Sequence, residues 1–273
     1  MLELRLWAFN TWLKNSYQDK IACFNLDNNL NANIKDFSDI DTSKVFDKLH
    51  IQAGQPDIEI VTHTNVPKRS IHHDQGKSAM LHALAHIEFN AINLALDAIW
   101  RFENMPTNYY LDWFKVCAEE AKHFYLLNEY LKGLNTEYGK LPAHSGLWDM
   151  AIKTKDNLIA RLAMVPRTLE ARGLDMAPVL YEKLIQAKDN KGADILTIIL
   201  HDELEHVLIG NKWYEYLCNK NNLNPVITYA NLILEYDAPS PSKPVNQLGR
   251  FNAGFYLQEI KMLCEKLGVE YEL

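Results

Sequence analysis

The amino-acid sequence predicts an all-α fold: a four-helix bundle with a long connection between its second and third helices, an irregular N-terminal extension and an extra C-terminal helix. Three observations carry that expectation. Apolar residues recur at steps of three and four over long stretches, the spacing that lines up one helix face. Pro, Gly and Asn gather between those stretches, where helices end. A single glutamate followed one helix later by a Glu-x-x-His pair occurs twice.

Residues 1–75 are assigned to the extension. An apolar start gives way to the run Asp27-Asn28-Asn29-Leu30-Asn31-Ala32-Asn33 and then to Pro56 and Pro67, a composition poor in helix formers. The bundle is assigned to residues 76–220. Its first helix runs from about Lys77 to Phe102, with Leu81, Leu84, Glu88, Ile92, Ala95 and Ile99 on one face. Met105-Pro106-Thr107-Asn108 interrupts the pattern, and a second helix with Trp113, Val116, Glu120, His123, Leu127 and Tyr130 ends at Gly133. The connection from Gly133 to about Lys153, with Gly139, Pro142 and Gly146, is long for neighbouring helices. It suits a crossover: ~20 extended residues reach ~65 Å, and a helix of ~27 residues is only ~40 Å long.

A third helix is expected from about Lys155, interrupted by Pro166, Gly173 and Pro178. The fourth covers roughly Gly192 to Asn219, with Leu196, Ile199, Glu203, His206, Gly210 and Trp213 on one face. Residues 221–273 form a C-terminal extension, irregular through Asp237-Ala238-Pro239-Ser240-Pro241 and then carrying one helix from about Leu248 to Leu267.

The 273 residues, 48% hydrophobic and 23% charged, are enough for one bundle with flanking extensions. A net charge of −7 argues against general attraction to nucleic acid or to anionic membranes. No stretch approaches the ~20 apolar residues that span a bilayer, and the N-terminus lacks a cleavable leader pattern. A cytoplasmic protein is expected. The four cysteines, Cys23, Cys117, Cys218 and Cys264, form no Cys-x-x-Cys pair, so buried reduced thiols are expected rather than a zinc knuckle or a disulfide framework.

The chemistry lies in Glu119-Glu120-Ala121-Lys122-His123 and Asp202-Glu203-Leu204-Glu205-His206. Residues three apart share a helix face, so Glu120 with His123, and Glu203 with His206, can each grip an ion. One such pair arises readily by chance in a chain with 10 histidines. Two, each preceded by a single glutamate on an apolar face, Glu88 and Glu170, at 32 and 33 residues upstream, do not. In a helical hairpin, residues equally far from the turn face each other, and Glu88 and the 120 to 123 pair are symmetric about Met105 and Pro106. The same symmetry puts the second turn near residue 187 and requires the third helix to continue, kinked, to about Gln186.

Four carboxylates and two imidazoles would then converge. Unneutralised, such acids cost several kcal/mol each or stay protonated. Two divalent cations cancel them, iron first, manganese or a mixed iron/manganese pair next, and zinc as a substitute. Glu119 and Asp202 stand where they could support the histidines or lie at the surface. His82 and His86, one turn apart, lack an acidic partner on their own face, and His72 and His73 sit in a polar loop. His201 and His206 are five apart and so do not make the His-Glu-x-x-His protease motif.

The run Leu81-His82-Ala83-Leu84-Ala85-His86-Ile87-Glu88, with Trp100-Arg101-Phe102, Glu119 to Phe124, Arg161 to Arg167, Leu169 to Asp175 and Asp202 to Gly210, resembles the ferritin-like family catalogued as domain of unknown function 455. Asn246 to Phe255 also looks like that family's C-terminal segment, so the resemblance covers most of residues 65 to 265. It implies a ferritin-like fold with a di-metal site and no settled reaction. The ligand order is also similar to that of di-iron tRNA hydroxylases, a fold-level analogy. The expected function is a dioxygen-activating non-haem di-iron oxidase or monooxygenase acting on a small-molecule substrate. Iron storage or ferroxidase activity, and a tRNA hydroxylase-like enzyme, are the alternatives; nucleic acid is disfavoured as a partner and a homodimer is allowed.

Overall fold

Two helices joined by the five residues 102–106 form the centre of the first part of the chain. Asp74–Arg101 and Thr107–Gly133 close onto each other because a continuous apolar stripe from Leu81 to Trp100 meets one from Tyr109 to Leu131. A computed structural model of the chain describes residues 2–24, 37–47, 53–54, 58–62, 64–67, 71 and 73–273. The Asn-rich run, Pro56 and His72 lie outside these. The chain divides into two compact units, Met1–Trp148 and Asp149–Leu273. Both are built from helices that pack on one another, and the expected all-α bundle architecture is what the described residues show.

In the first unit, strand β1 (Leu2–Glu3) leads into α1 (Leu4–Trp12) and α2 (Tyr17–Ala22). Strand β2 (Phe37–Asp39) pairs in parallel with β1. The central helices are α3 (Asp74–Arg101) and α4 (Thr107–Gly133). Helix α1 corrects the expectation that residues 1–75 are poor in helix. The Glu3 carboxylate accepts from the N–H groups of Arg5 and Leu6 and caps it. Trp7 and Trp12 then bury against Phe24, Phe114 and Trp100. The guanidinium of buried Arg5 donates to five carbonyls. Those of Ile99 and Trp100 end α3, and those of Asp41, Thr42 and Lys44 fix the following segment. Arg5 thus satisfies acceptors that a helix end leaves open. His73 is exposed, as its polar loop suggests, and it also caps the start of α3, its Nδ1 accepting from the Gly76 N–H at 3.0 Å.

Helix α5 (Gly146–Lys153) occupies the last part of the long connection, which is therefore not extended throughout. In the second unit, α6 (Leu158–Met164), a π-helical turn (Val165–Glu170) and α7 (Ala171–Gln186) follow without a break. The required continuation to Gln186 is met. Pro166 has no N–H to give the ladder, and the wider π turn absorbs the discontinuity; Pro178 lies on the exposed side of α7. Helix α8 (Asn190–Lys220) returns after the turn at residues 187–189, and Gly210 admits Pro166, since a Cβ there would lie 2.4 Å from the proline Cβ.

Helices α9 (Pro225–Glu235), α10 (Gln247–Asn252) and α11 (Leu257–Leu267) complete the unit. The segment after Asn219 is thus more helical than its sequence pattern suggests, and the single helix expected over 248–267 is broken at Gly254, whose φ is +86°. Buried ion pairs tie these helices down: Arg250 grips Asp175 through Nε and Nη2 at 3.0 and 2.6 Å, and Arg167 donates to both Glu259 oxygens at 2.7 and 2.9 Å. Among the described residues, no helix is long and apolar enough to cross a membrane.

Candidate metal centre

Glu88 projects from the middle of α3, and Glu120 and His123 from the middle of α4. All three are buried, and their donor atoms lie within 4.8 Å of one another. His123 Nδ1 stands 3.3 Å from Glu88 Oε2 and 3.6 Å from Glu120 Oε2. The symmetry about Met105 and Pro106 is therefore realised in space. Burial pushes the Glu88 carboxyl well above the usual carboxylate range, and the neighbouring Glu120 charge pushes it further. A fully buried imidazole between two acids is a group that could hold a metal ion.

In the second unit, His206 is fully buried on α8, with Nδ1 3.3 Å from Glu203 Oε2. A Cβ on Gly173 would come within 3.1 Å of Glu203 Oε1, so the glycine keeps the α7 surface open to that carboxylate. Glu170 closes the π-helical turn and its Oε2 atom is buried. Among the described residues of this unit, Glu170 does not join Glu203 and His206 at the 4.8 Å spacing.

The sequence profile of the family described as "Protein of unknown function (DUF455)" matches residues 14–261. The chain belongs to the DUF455 family. Among curated proteins it is similar to an uncharacterised protein of Haemophilus influenzae, 45% identical over 213 residues that cover 76% of this chain and 74% of the relative. No solved structure matches it.

In this DUF455 protein the donors fit a hard or borderline divalent cation. Two carboxylates and an imidazole suit iron, manganese or zinc. Cys117 lies on the same helix as Glu120, but among the described residues it does not join these donors at the 4.8 Å spacing, and burial, then the Glu120 charge, pushes its thiol up. Electroneutrality asks for the cation: an apolar site with two acids either keeps protons or gains positive charge.

Two further buried histidines of the DUF455 chain have other partners. His82 Nε2 accepts from the Gly139 N–H at 3.0 Å, and His86 bonds the Tyr138 hydroxyl at 2.9 Å and the His144 carbonyl at 3.1 Å. Burial lowers each to about 4, so both are neutral anchors for the segment after α4. His201 is exposed while His206 is buried, as expected of residues on different faces. Glu119 pairs with Lys115 at 3.9 Å, and Asp202 is half-buried. Sequence reasoning passed over the buried pair Lys20 and Asn93, while Cys117 beside them is the buried free thiol expected; a lysine in a short extension helix carries no periodic signal.

Proposed function

We propose that the protein is a ferritin-like di-metal carboxylate protein of the cytoplasm that oxidises an organic small molecule with dioxygen. In this reading Glu88, Glu120, His123, Glu170, Glu203 and His206 hold two metal ions, iron first, with manganese or a mixed pair next and zinc as a substitute. Residues 76–220 then act as one four-helix bundle, flanked by the extensions 1–75 and 221–273. The observation that carries it is the buried cluster of Glu88, Glu120 and His123, where a cation would neutralise two acids that an apolar site otherwise drives toward protonation. The second Glu-x-x-His pair, on α8, with His206 buried and Glu203 partly so, supports a second ion. One Glu from each of two helices and a Glu-x-x-His from each of two others is the general ligand rule of such proteins.

A bound di-iron pair would supply two of the four electrons that take dioxygen to water, the organic substrate the other two, and an external electron donor would be needed to restore the pair. The protein's part is positional. His123 and His206, both without solvent exposure, anchor their ions from rigid helices. Burial pushes the Glu88 carboxyl well above the usual carboxylate range, and a cation bound beside it would favour the charged form.

The test is metal analysis of protein purified without added metal, followed by near-ultraviolet absorbance on anaerobic reduction and exposure to air. Two ions per chain and a reversible absorbance change are expected, with both diminished in Glu120→Ala and His206→Ala. Metal-free protein that refuses added iron and manganese, or undiminished metal in both variants, overturns the reading.

A further inference from the structure

The second unit contains a cavity of about 340 Å³ bounded by α7, α9, α11 and residues 238–242. That lies within the range of small-molecule sites. Its wall is apolar, with Val226, Ile233 and Leu234 from α9 facing Ile260, Met262 and Leu263 from α11. Leu234 is 80% and Met262 50% exposed, so large apolar side chains on both of these helices meet solvent beside the hollow.

The charged residues lining it are unbalanced. Arg167 is matched by Glu259 and Arg250 by Asp175, through the buried ion pairs described above. Arg172 and Lys266 also line the cavity. Arg172 donates to the Ser242 hydroxyl at 3.0 Å, and among the described residues neither it nor Lys266 pairs with a carboxylate. Two cations thus line an apolar hollow in a chain whose net charge is −7.

We infer that this cavity is a binding site for an anionic amphiphile, a long-chain monocarboxylate whose apolar chain fills the hollow and whose carboxylate lies between Arg172 and Lys266. The apolar wall removes the chain from water. The paired Arg167 and Arg250 are already neutralised, so the headgroup is selected by Arg172 and Lys266. The concave shape encloses a single chain, where a bilayer surface would call for a flat or convex apolar face. This site uses none of the six proposed metal ligands and stands whether or not metal binds.

Isothermal titration with monomeric dodecanoate tests it, with dodecyltrimethylammonium as a cation of equal chain length. Dodecanoate binds once per chain and the cation far more weakly. Lys266→Glu, at an exposed position that leaves the fold untouched, combined with Arg172→Glu weakens dodecanoate about tenfold. Ala230→Trp, at an exposed lining position, fills the hollow and abolishes binding. The proposal is overturned if dodecanoate does not bind, if the cation binds as tightly, if neither change affects dodecanoate, or if phosphatidylglycerol vesicles bind while monomeric dodecanoate does not.

Discussion

Lys20 is fully buried, its ammonium donating to the Trp12 carbonyl at 3.1 Å, the Gly54 carbonyl at 2.9 Å and the Asn93 side-chain oxygen. Burial lowers it from the ordinary 10.5 to about 7. Between those two values the unfolded chain binds more protons than the folded one, so this residue's contribution to stability rises with pH from about 7 toward 10.5. Below pH 7 the folded state carries the full cost of a buried charge. Lys20→Met removes the titration and strands three acceptors, a loss of about 1–3 kcal/mol. Urea denaturation at pH 7 and pH 9 should therefore show the stability gap between wild type and variant widening at the higher pH. A gap independent of pH would mean that Lys20 titrates as an ordinary amine. The proposed ligands behave differently at this scale, because their neighbours are acids and the relief they need is a cation.

Two glycines decide how helices of the second unit meet. Gly210→Ala drives a Cβ to within 2.4 Å of the Pro166 Cβ. The contact is carbon against a ring held in the π-helical turn, so α8 and the turn must separate, at about 1–3 kcal/mol; a lowered denaturant midpoint checks this. Gly173→Ala differs. Its Cβ would meet only the Glu203 Oε1 carboxylate at 3.1 Å, the end of a flexible side chain. Alanine inside a helix gains about 1 kcal/mol over glycine, so the metal-free variant should be at least as stable as wild type. If Glu203 is a ligand, the displaced carboxylate weakens metal affinity in the same variant. Equal metal affinity with raised stability would remove Glu203 from the site.

For the whole molecule, chelation should lower the melting temperature, because repulsion among buried acids returns when cations leave. An identical melting curve for fully metal-depleted protein would deny the site any structural share. Much of the architecture was legible beforehand. The stripes in 77–102 and 192–219 marked α3 and α8 within a few residues, and the mirror spacing about Met105 placed Glu88 beside Glu120 and His123. The same symmetry required a helix through Gly173 and Pro178 to Gln186, against local propensity, and that helix is present. Helices α1 and α9 escaped because they are short and borrow their stability from neighbours, and the roles of His82, His86 and His73 escaped because each depends on a partner distant in the chain or on a backbone turn. Periodicity and the spacing of acids and imidazoles follow from helix geometry, which acts over a few residues, so sequence alone determined the long helices, the turns between them and the clustering of Glu88, Glu120 and His123. The π turn at Pro166, the neutral state of the buried histidines and the uneven charge around the second unit's cavity depend on which side chains from remote segments exclude water together, and only the tertiary structure decided those.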